Sequence, residues 1–395
     1  MIDVCERFLK YVSFDTQSDD DSESCPSTEK QKILGAFLRD ELMSIGAADA
    51  YMDENGYVYG TIPASSGAET APVLAFLSHM DTSPAASGRD VHPVISHEDR
   101  PEGALDIIHT DGTTLLGADD KAGIAEIMTM ADRLLHDPDL PHPELRIIFT
   151  PDEEIGRGVD RIDMSRVNAA YAFTVDGGEV GELSYECFNA AGAKVTVRGD
   201  SYHPGDSYGK MKNAILIAQE FNTMLPPEEI PAKTRGREGF YHLDAIRGDV
   251  SFCEMNYIIR DHDKTRFEER KEKMREAARA MNDKYGGVCV ELTDSYANMI
   301  GDILPEHAFL LDAVRSVYNE MGITPDESPI RGGTDGARLS SMGLPCPNLG
   351  TGGHDFHGPH EWISVQSLEK AVEVLVRVAA KLAEGYQGKD RESRP

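Results

Sequence analysis

The sequence predicts an α/β protein in which a doubly wound, mainly parallel sheet domain carries an inserted ferredoxin-like α+β domain. Three observations predict it. The first half of the chain alternates helical and strand-like segments. The middle reads β-α-β-β-α-β. The alternating pattern then resumes to the end, so that residues 1–188 and 299–395 form one domain and 189–298 the insert. A chain of 395 residues is too long for one ordinary core, which agrees with two.

In chain order, residues 27–45 read as a helix with Ile33, Leu34, Phe37, Leu38, Leu42 and Ile45 on one face. Residues 73–77 are a continuous apolar run behind Pro72, the mark of a strand buried on both faces. Residues 121–136 return to a helical stripe, through Ile124, Ile127, Met128, Ala131, Leu134 and Leu135. Two more buried strands follow, at 145–149 and 170–175. The insert begins with a half-exposed strand at 194–198 and a helix at 211–225. Strands at 241–247 and 252–260, a charged helix at 264–284 and a strand at 288–292 complete it. Beyond it lie a helix at 305–321, a short strand at 346–349 and an amphipathic helix at 365–383.

The charge is strongly acidic, 39 basic against 69 acidic residues for a net −30. Nucleic acids and anionic membranes need basic patches, so neither is an expected partner. The six cysteines are scattered, with no CxxC pair, as in a reduced compartment. The first residues lack the basic start and apolar run of a secretory signal, and a cytoplasmic location is expected. No apolar stretch approaches the ~20 residues of a membrane span.

Chemistry-bearing residues sit just past the expected strands. The first strand runs into Ser78-His79-Met80-Asp81, the second into Thr150-Pro151-Asp152-Glu153-Glu154, the third into Asp176-Gly177-Gly178, and the short late strand toward His354, Asp355 and His357. In an open α/β sheet, ligands bind beyond the carboxyl ends of the strands. A further acidic pair, Asp119-Asp120, opens the helix at 121. Imidazole with carboxylate suits zinc, with cobalt or manganese as possible substitutes. Two dications about 4 Å apart need a shared anionic ligand. Asp119 is the choice for that bridge, with His79 and Glu154 as separate ligands. Asp81 follows His79 at the spacing that lets it accept the second ring N–H. Asp120 reads as a helix cap. An H-x-D triplet or a Glu pair alone is common; the set, in this order at strand ends, is not.

The stretches 78–82, 117–123 and 152–156, completed by Val175-Asp176-Gly177-Gly178 and His357-Gly358-Pro359-His360-Glu361, resemble the motifs of the dizinc peptidases and deacylases related to carboxypeptidase G2 and aminoacylase. The resemblance covers nearly the whole chain. Within that superfamily, residues 239–243, 257–261, 329–337 and 342–349 resemble the aminopeptidases that act on tripeptides. The segment between Asp81 and Leu115 is shorter than expected for that family, and Arg338 stands where a small or polar residue is more usual; both bear on the rim of the site and on substrate length.

The resemblance implies a catalytic domain and a lid. It implies two zinc ions per chain, with His79 and Asp176 as terminal ligands of one, Glu154 and His357 of the other, and Asp119 between them. It implies Glu153 as general base, Asp81 as partner of His79, and His203 of the insert as a donor to the oxyanion. Arg260 and Arg331 are then expected to hold the substrate carboxylate from opposite domains. The implied reaction removes the N-terminal residue of short peptides, tripeptides first, in a monomer or homodimer. Deacylation of N-acyl amino acids or dipeptide cleavage is the alternative within the superfamily, and a non-catalytic metal-dependent peptide-binding protein the alternative outside it. The Asp119–Asp120 peptide bond is expected to be cis.

Overall fold

A computed structural model of the chain describes residues 2–100 and 103–392, with the backbone alone at 100 and 385–392. The chain falls into two compact units. The first comprises Met1–Tyr185, Gly301–Ser328 and Thr334–Pro395, and the second Glu186–Ile300 with Pro329–Gly333.

In the first unit, α1 (Val4–Tyr11) and α2 (Gln31–Ile45) precede the strands β1 (Ala48–Met52), β2 (Val58–Ile62) and β3 (Leu74–His79). Next come β4 (Val94–Arg100), β5 (Gly103–His109), α3 (Ala118–His136), β6 (Leu145–Thr150), α4 (Met164–Val167), β7 (Tyr171–Val175) and β8 (Leu183–Ser184). The second unit holds β9 (Asn189–Arg198), α5 (Ala214–Thr223), β10 (Phe240–Gly248), β11 (Phe252–Asp261), α6 (Lys264–Tyr285) and β12 (Val288–Tyr296). The chain then passes through α7 (Ile300–Ile303), α8 (Ala308–Glu320), α9 (Asp335–Ser341), β13 (Asn348–Leu349), β14 (Gly353–His354), β15 (Trp362–Ser364) and α10 (Val365–Glu392).

The main sheet has seven strands in the order β1-β2-β6-β3-β7-β13-β8. Its centre, β6-β3-β7-β13, is parallel, while β1, β2 and β8 run antiparallel at the edges. Every residue of β3 is buried. Leu74, Phe76 and Leu77 there each contribute roughly 1.5–3 kcal/mol of burial, which is why an unbroken apolar run settles in mid-sheet. Helix α3 is buried along most of its length and packs on β3, α1 and α10. Helix α2 begins at Gln31 and buries Leu34, Leu38 and Leu42; Ile33, expected on that face, is 62% exposed. Gly35 takes its place in the interface, where a Cβ would stand 2.9 Å from the sulfur of Met52.

A second sheet of this unit, β14-β15-β5-β4, takes two of its strands, β4 and β5, from the segment between Asp81 and Leu115, where no strand was expected. Its strands β4 and β5 are half-exposed and polar, so the period-two signal is faint.

The second unit is a four-stranded antiparallel sheet, β10-β11-β9-β12, covered by α5 and α6. Strand β9 alternates from Ala191 onward, with Val195 and Val197 in a core with Phe221, Tyr257 and Met274. This is the expected β-α-β-β-α-β arrangement. Residues 329–333 were read with the first domain; they belong to this unit, and Arg331 with them. Among the described residues no helix is long and apolar enough to cross a membrane.

Candidate metal centre

The parallel strands deliver their carboxyl ends to one place. His79 is the last residue of β3 and stands in register with Thr150, the last of β6. Glu153 and Glu154 follow in a short 3-10 turn, and Asp176 directly follows β7. At the start of α3, Gly117 is left-handed at φ 83° and Asp119 and Asp120 are non-helical. The peptide bond between them is cis. The Asp120 carboxylate accepts the Gly123 N–H at 3.2 Å, as a cap does, and also the Ser78 hydroxyl and the His79 N–H. Its neighbour Asp119 is thereby left facing the strand ends.

Two sets of side chains offer ligand atoms within 4.8 Å of one another: His79, Asp119 and Asp176, and Asp119, Glu154 and His357. Asp119 belongs to both. Its Oδ1 lies 2.9 Å from His79 Nε2 and its Oδ2 3.1 Å from His357 Nε2. His357 Nε2 is also 3.1 Å from Glu154 Oε2, while the other oxygen of Glu154 is buried with no partner. A buried acceptor without a donor is costly, and a cation held by this set would satisfy it. All the residues the sequence assigned to the metals are thus brought together.

The electrostatics agree with a site built for positive charge. Burial pushes the Asp176 carboxyl up to about 7 and the Glu154 carboxyl above its ordinary value, with neighbouring Asp119 raising both further. Burial also lifts Glu153 well above the usual range, against the pull of His79 and aided by Asp335, Asp176 and Asp81. For Asp119, hydrogen bonds from His357 and His79 outweigh burial and hold it well below the usual range. His357 is raised to about 10 by its bonds to Asp119 and Glu154.

Asp81 does more than expected. His79 Nδ1 lies 3.0 Å from the backbone oxygen of Asp81 and 3.4 Å from its carboxylate. The carboxylate accepts the backbone N–H groups of Glu153 at 2.9 Å and Glu154 at 3.2 Å. It therefore fixes the turn that carries Glu153 and Glu154. The same turn is anchored from the other side by Asp152, left-handed at φ 60°, whose carboxylate accepts the Ser27 N–H at 2.7 Å, the Ser27 hydroxyl at 2.5 Å and Gln31 Nε2 at 2.7 Å.

Three acidic residues were not singled out from the sequence. Asp152 is one. Asp335 is another: buried, bonded to the Thr150 hydroxyl at 2.8 Å and raised to about 6 by burial. Gly158 makes room for it, since a Cβ there would stand 2.2 Å from its Oδ1. The third is Glu361, whose carboxylate receives backbone N–H groups at 116, 117 and 119. Both Asp335 and Glu361 lie inside stretches whose resemblance was noted, and that was the only signal for them.

The remaining residues belong to the second unit. His203 caps a short 3-10 turn, accepts the Gly205 N–H at 3.2 Å and has an 80% exposed side chain. Arg260 donates to the Ile259 oxygen at 2.9 Å and lies over the Tyr296 ring. Arg331 donates to the oxygens of Gly236 at 2.6 Å and Glu238 at 3.1 Å and to the Thr234 hydroxyl at 3.0 Å. The expectation that the two arginines come from opposite domains is corrected: both lie in the same unit, because the 329–333 loop folds onto the insert, where His262 Nε2 meets the Ile330 oxygen at 3.1 Å. Among the described residues neither arginine has an acidic partner, despite the charge of −30.

Comparison with known proteins fits this geometry. A protein called Peptidase T from Bacillus velezensis is 49% identical over 402 residues, covering 95% of this chain and 98% of its own. The crystal structure of aminopeptidase PepT from Bacillus cereus superposes with a TM-score of 0.80 at 24% identity, over 96% of this chain and 98% of that one. That of a tripeptidase from Staphylococcus aureus gives 0.81 at 20% identity, with the same coverage. The model of peptidase family M20/M25/M40 matches residues 75–381. With that match and a near-full-length relative at almost half identity, the chain belongs to peptidase family M20/M25/M40.

Proposed function

We propose that this peptidase removes the N-terminal residue from short peptides, tripeptides first, with two divalent metal ions, zinc by preference. The observation that carries the metal reading is the shared position of Asp119, one oxygen toward each imidazole. The donor chemistry of imidazole and carboxylate supports zinc, with cobalt or manganese as substitutes. The tripeptide reading is supported by the relative called Peptidase T.

His79, Asp119 and Asp176 hold one ion, and Asp119, Glu154 and His357 the other. Such a pair supplies Lewis acidity and water acidified toward neutral pH. Glu153 takes the proton from the attacking water and hands one to the departing amine. Asp81 accepts the Glu153 N–H and Asp152 ties the adjoining residue to Ser27 and Gln31, so that the base does not drift. On the same reading the second unit supplies substrate contacts: His203 as a donor to the developing oxyanion, and Arg260 and Arg331 as forks for the α-carboxylate. Six cysteines without a disulfide support a cytoplasmic location.

The test is a substrate series on chelator-stripped protein with zinc or cobalt restored. A tripeptide should be cleaved at its first bond faster than a dipeptide, and an N-acetyl amino acid should not be cleaved. Preference for the N-acetyl amino acid would make the chain a deacylase, and no cleavage with two metals bound would leave it a binding protein.

A further inference from the structure

A carboxylate outside both sets holds the shared position in place. The left-handed turn at Gly117 aims the N–H groups of Leu116, Gly117 and Asp119 at one point. Glu361 fills it. Its Oε2 accepts from Leu116 at 2.7 Å and Gly117 at 2.8 Å, and its Oε1 from Asp119 at 3.0 Å. The residue is 1% exposed. Nearby amides converging on one point form an anion nest, and bonds to an ionised acceptor are roughly twice as strong as neutral ones. The amides all belong to the loop that carries Asp119. The acceptor belongs to the segment His357-Gly358-Pro359-His360-Glu361, which carries the other end of the second set.

We infer that Glu361 is a positioning residue of the two-metal site, clamping the backbone of Asp119 to the segment of His357 so that one carboxylate serves both ions. This rests on the two-metal reading above. The carboxylate is what the nest requires. Glutamine has one acceptor oxygen, and its amide nitrogen would meet an N–H. Aspartate keeps the charge but is shorter by a methylene and cannot reach all three amides. A residue that merely braced a loop would lower stability and leave the affinity of a folded protein for metal alone. Loosening a clamp on the shared ligand weakens both sites together.

The experiment titrates zinc, against a competing chelator, into metal-free full-length protein carrying Glu361→Gln or Glu361→Asp, with the unfolding midpoint of each metal-free protein measured alongside. Trp362, the single tryptophan, stacks on His354 at 3.9 Å and reports the state of the segment by its fluorescence. Partners one shell out from a metal typically carry 10–100-fold in affinity. The expected result is a loss of about that size at both sites in parallel for Gln, with a smaller parallel loss for Asp. Glu41→Gln, which loosens the remote Arg7 ion pair, is the control for stability and should leave both affinities unchanged. Unchanged affinity in a folded Gln or Asp variant, or a loss confined to one site, overturns the inference. So does failure of both variants to fold, which would make Glu361 a residue of the fold alone. Fewer than two zinc ions in the unsubstituted protein would instead overturn the two-metal reading.

Discussion

Glu126 sits in the middle of α3, fully buried, and among the described residues neither of its carboxylate oxygens has a partner. Burial alone raises its pKa well above the ordinary 4.5. The carboxyl is therefore protonated in the folded chain at a pH where the unfolded chain has released the proton. The folded form binds the extra proton, so the stability tied to this group is fully present below about pH 4.5 and is lost as pH rises toward the folded pKa. Over that window the loss is about 1.4 kcal/mol per pH unit. Glu126→Gln removes the titration and keeps the shape. Relative to the unsubstituted protein it should be nearly neutral at about pH 5. By about pH 8 it should be the more stable of the two, the difference growing by about 1.4 kcal/mol per pH unit while the folded carboxyl keeps its proton. Glu126→Met should also flatten the slope, with an added offset of about 1–3 kcal/mol from removing the unpaired polar atoms. The assay is urea unfolding of metal-free protein at both pH values. The quantity compared is the difference between variant and parent, in which other titrating groups cancel. A difference that does not change with pH would refute the reasoning, because it would mean that the carboxyl titrates alike folded and unfolded.

Replacing Glu153 with Gln should leave two metals bound and slow turnover by about 10²–10⁴-fold, while Glu154→Gln should lose metal first; metal analysis beside kinetics checks both, and the opposite pattern would mean the roles are exchanged. Asp119→Asn should weaken both metals, as calorimetric titration would show, since each oxygen faces a different set. Arg7 is buried between Glu41 and Asp132, 2.7 Å from each, so Arg7→Met strands two carboxylates and should cost about 3–5 kcal/mol in urea unfolding with metal affinity intact. Arg260→Lys should raise KM for tripeptides and blunt discrimination against C-terminally amidated ones, because lysine keeps the charge and loses the fork; equal cleavage of a tripeptide and its amide by the parent enzyme would remove the motive.

What the sequence made legible follows from range. Strands β3, β6 and β7 are read locally because nearly every residue is buried and apolar residues dominate each run. His79, Glu153, Glu154 and Asp176 are read because they sit at or just past the ends of those strands. The hairpin β4–β5 escapes because half-exposed polar strands carry no sharp alternation. Ile33 is misplaced because a glycine, Gly35, takes the packed position on α2, and periodicity cannot see a close approach that needs no side chain. Glu361 escapes for a different reason. Its acceptors' donors lie up to 245 residues away, and nothing near it in sequence announces them. Arg331 went to the wrong unit because a loop of a few residues can fold onto either neighbour.

The two ligand sets draw on positions from 79 to 357, so 278 residues separate their first and last members. During synthesis, at roughly 5–20 residues per second, about 14–56 s pass between the emergence of His79 and that of His357. His79, Asp119, Glu154 and Asp176 are all out by residue 176, and for the rest of that interval His357 alone is missing. The set of Asp119, Glu154 and His357 can therefore come together only near the end of synthesis.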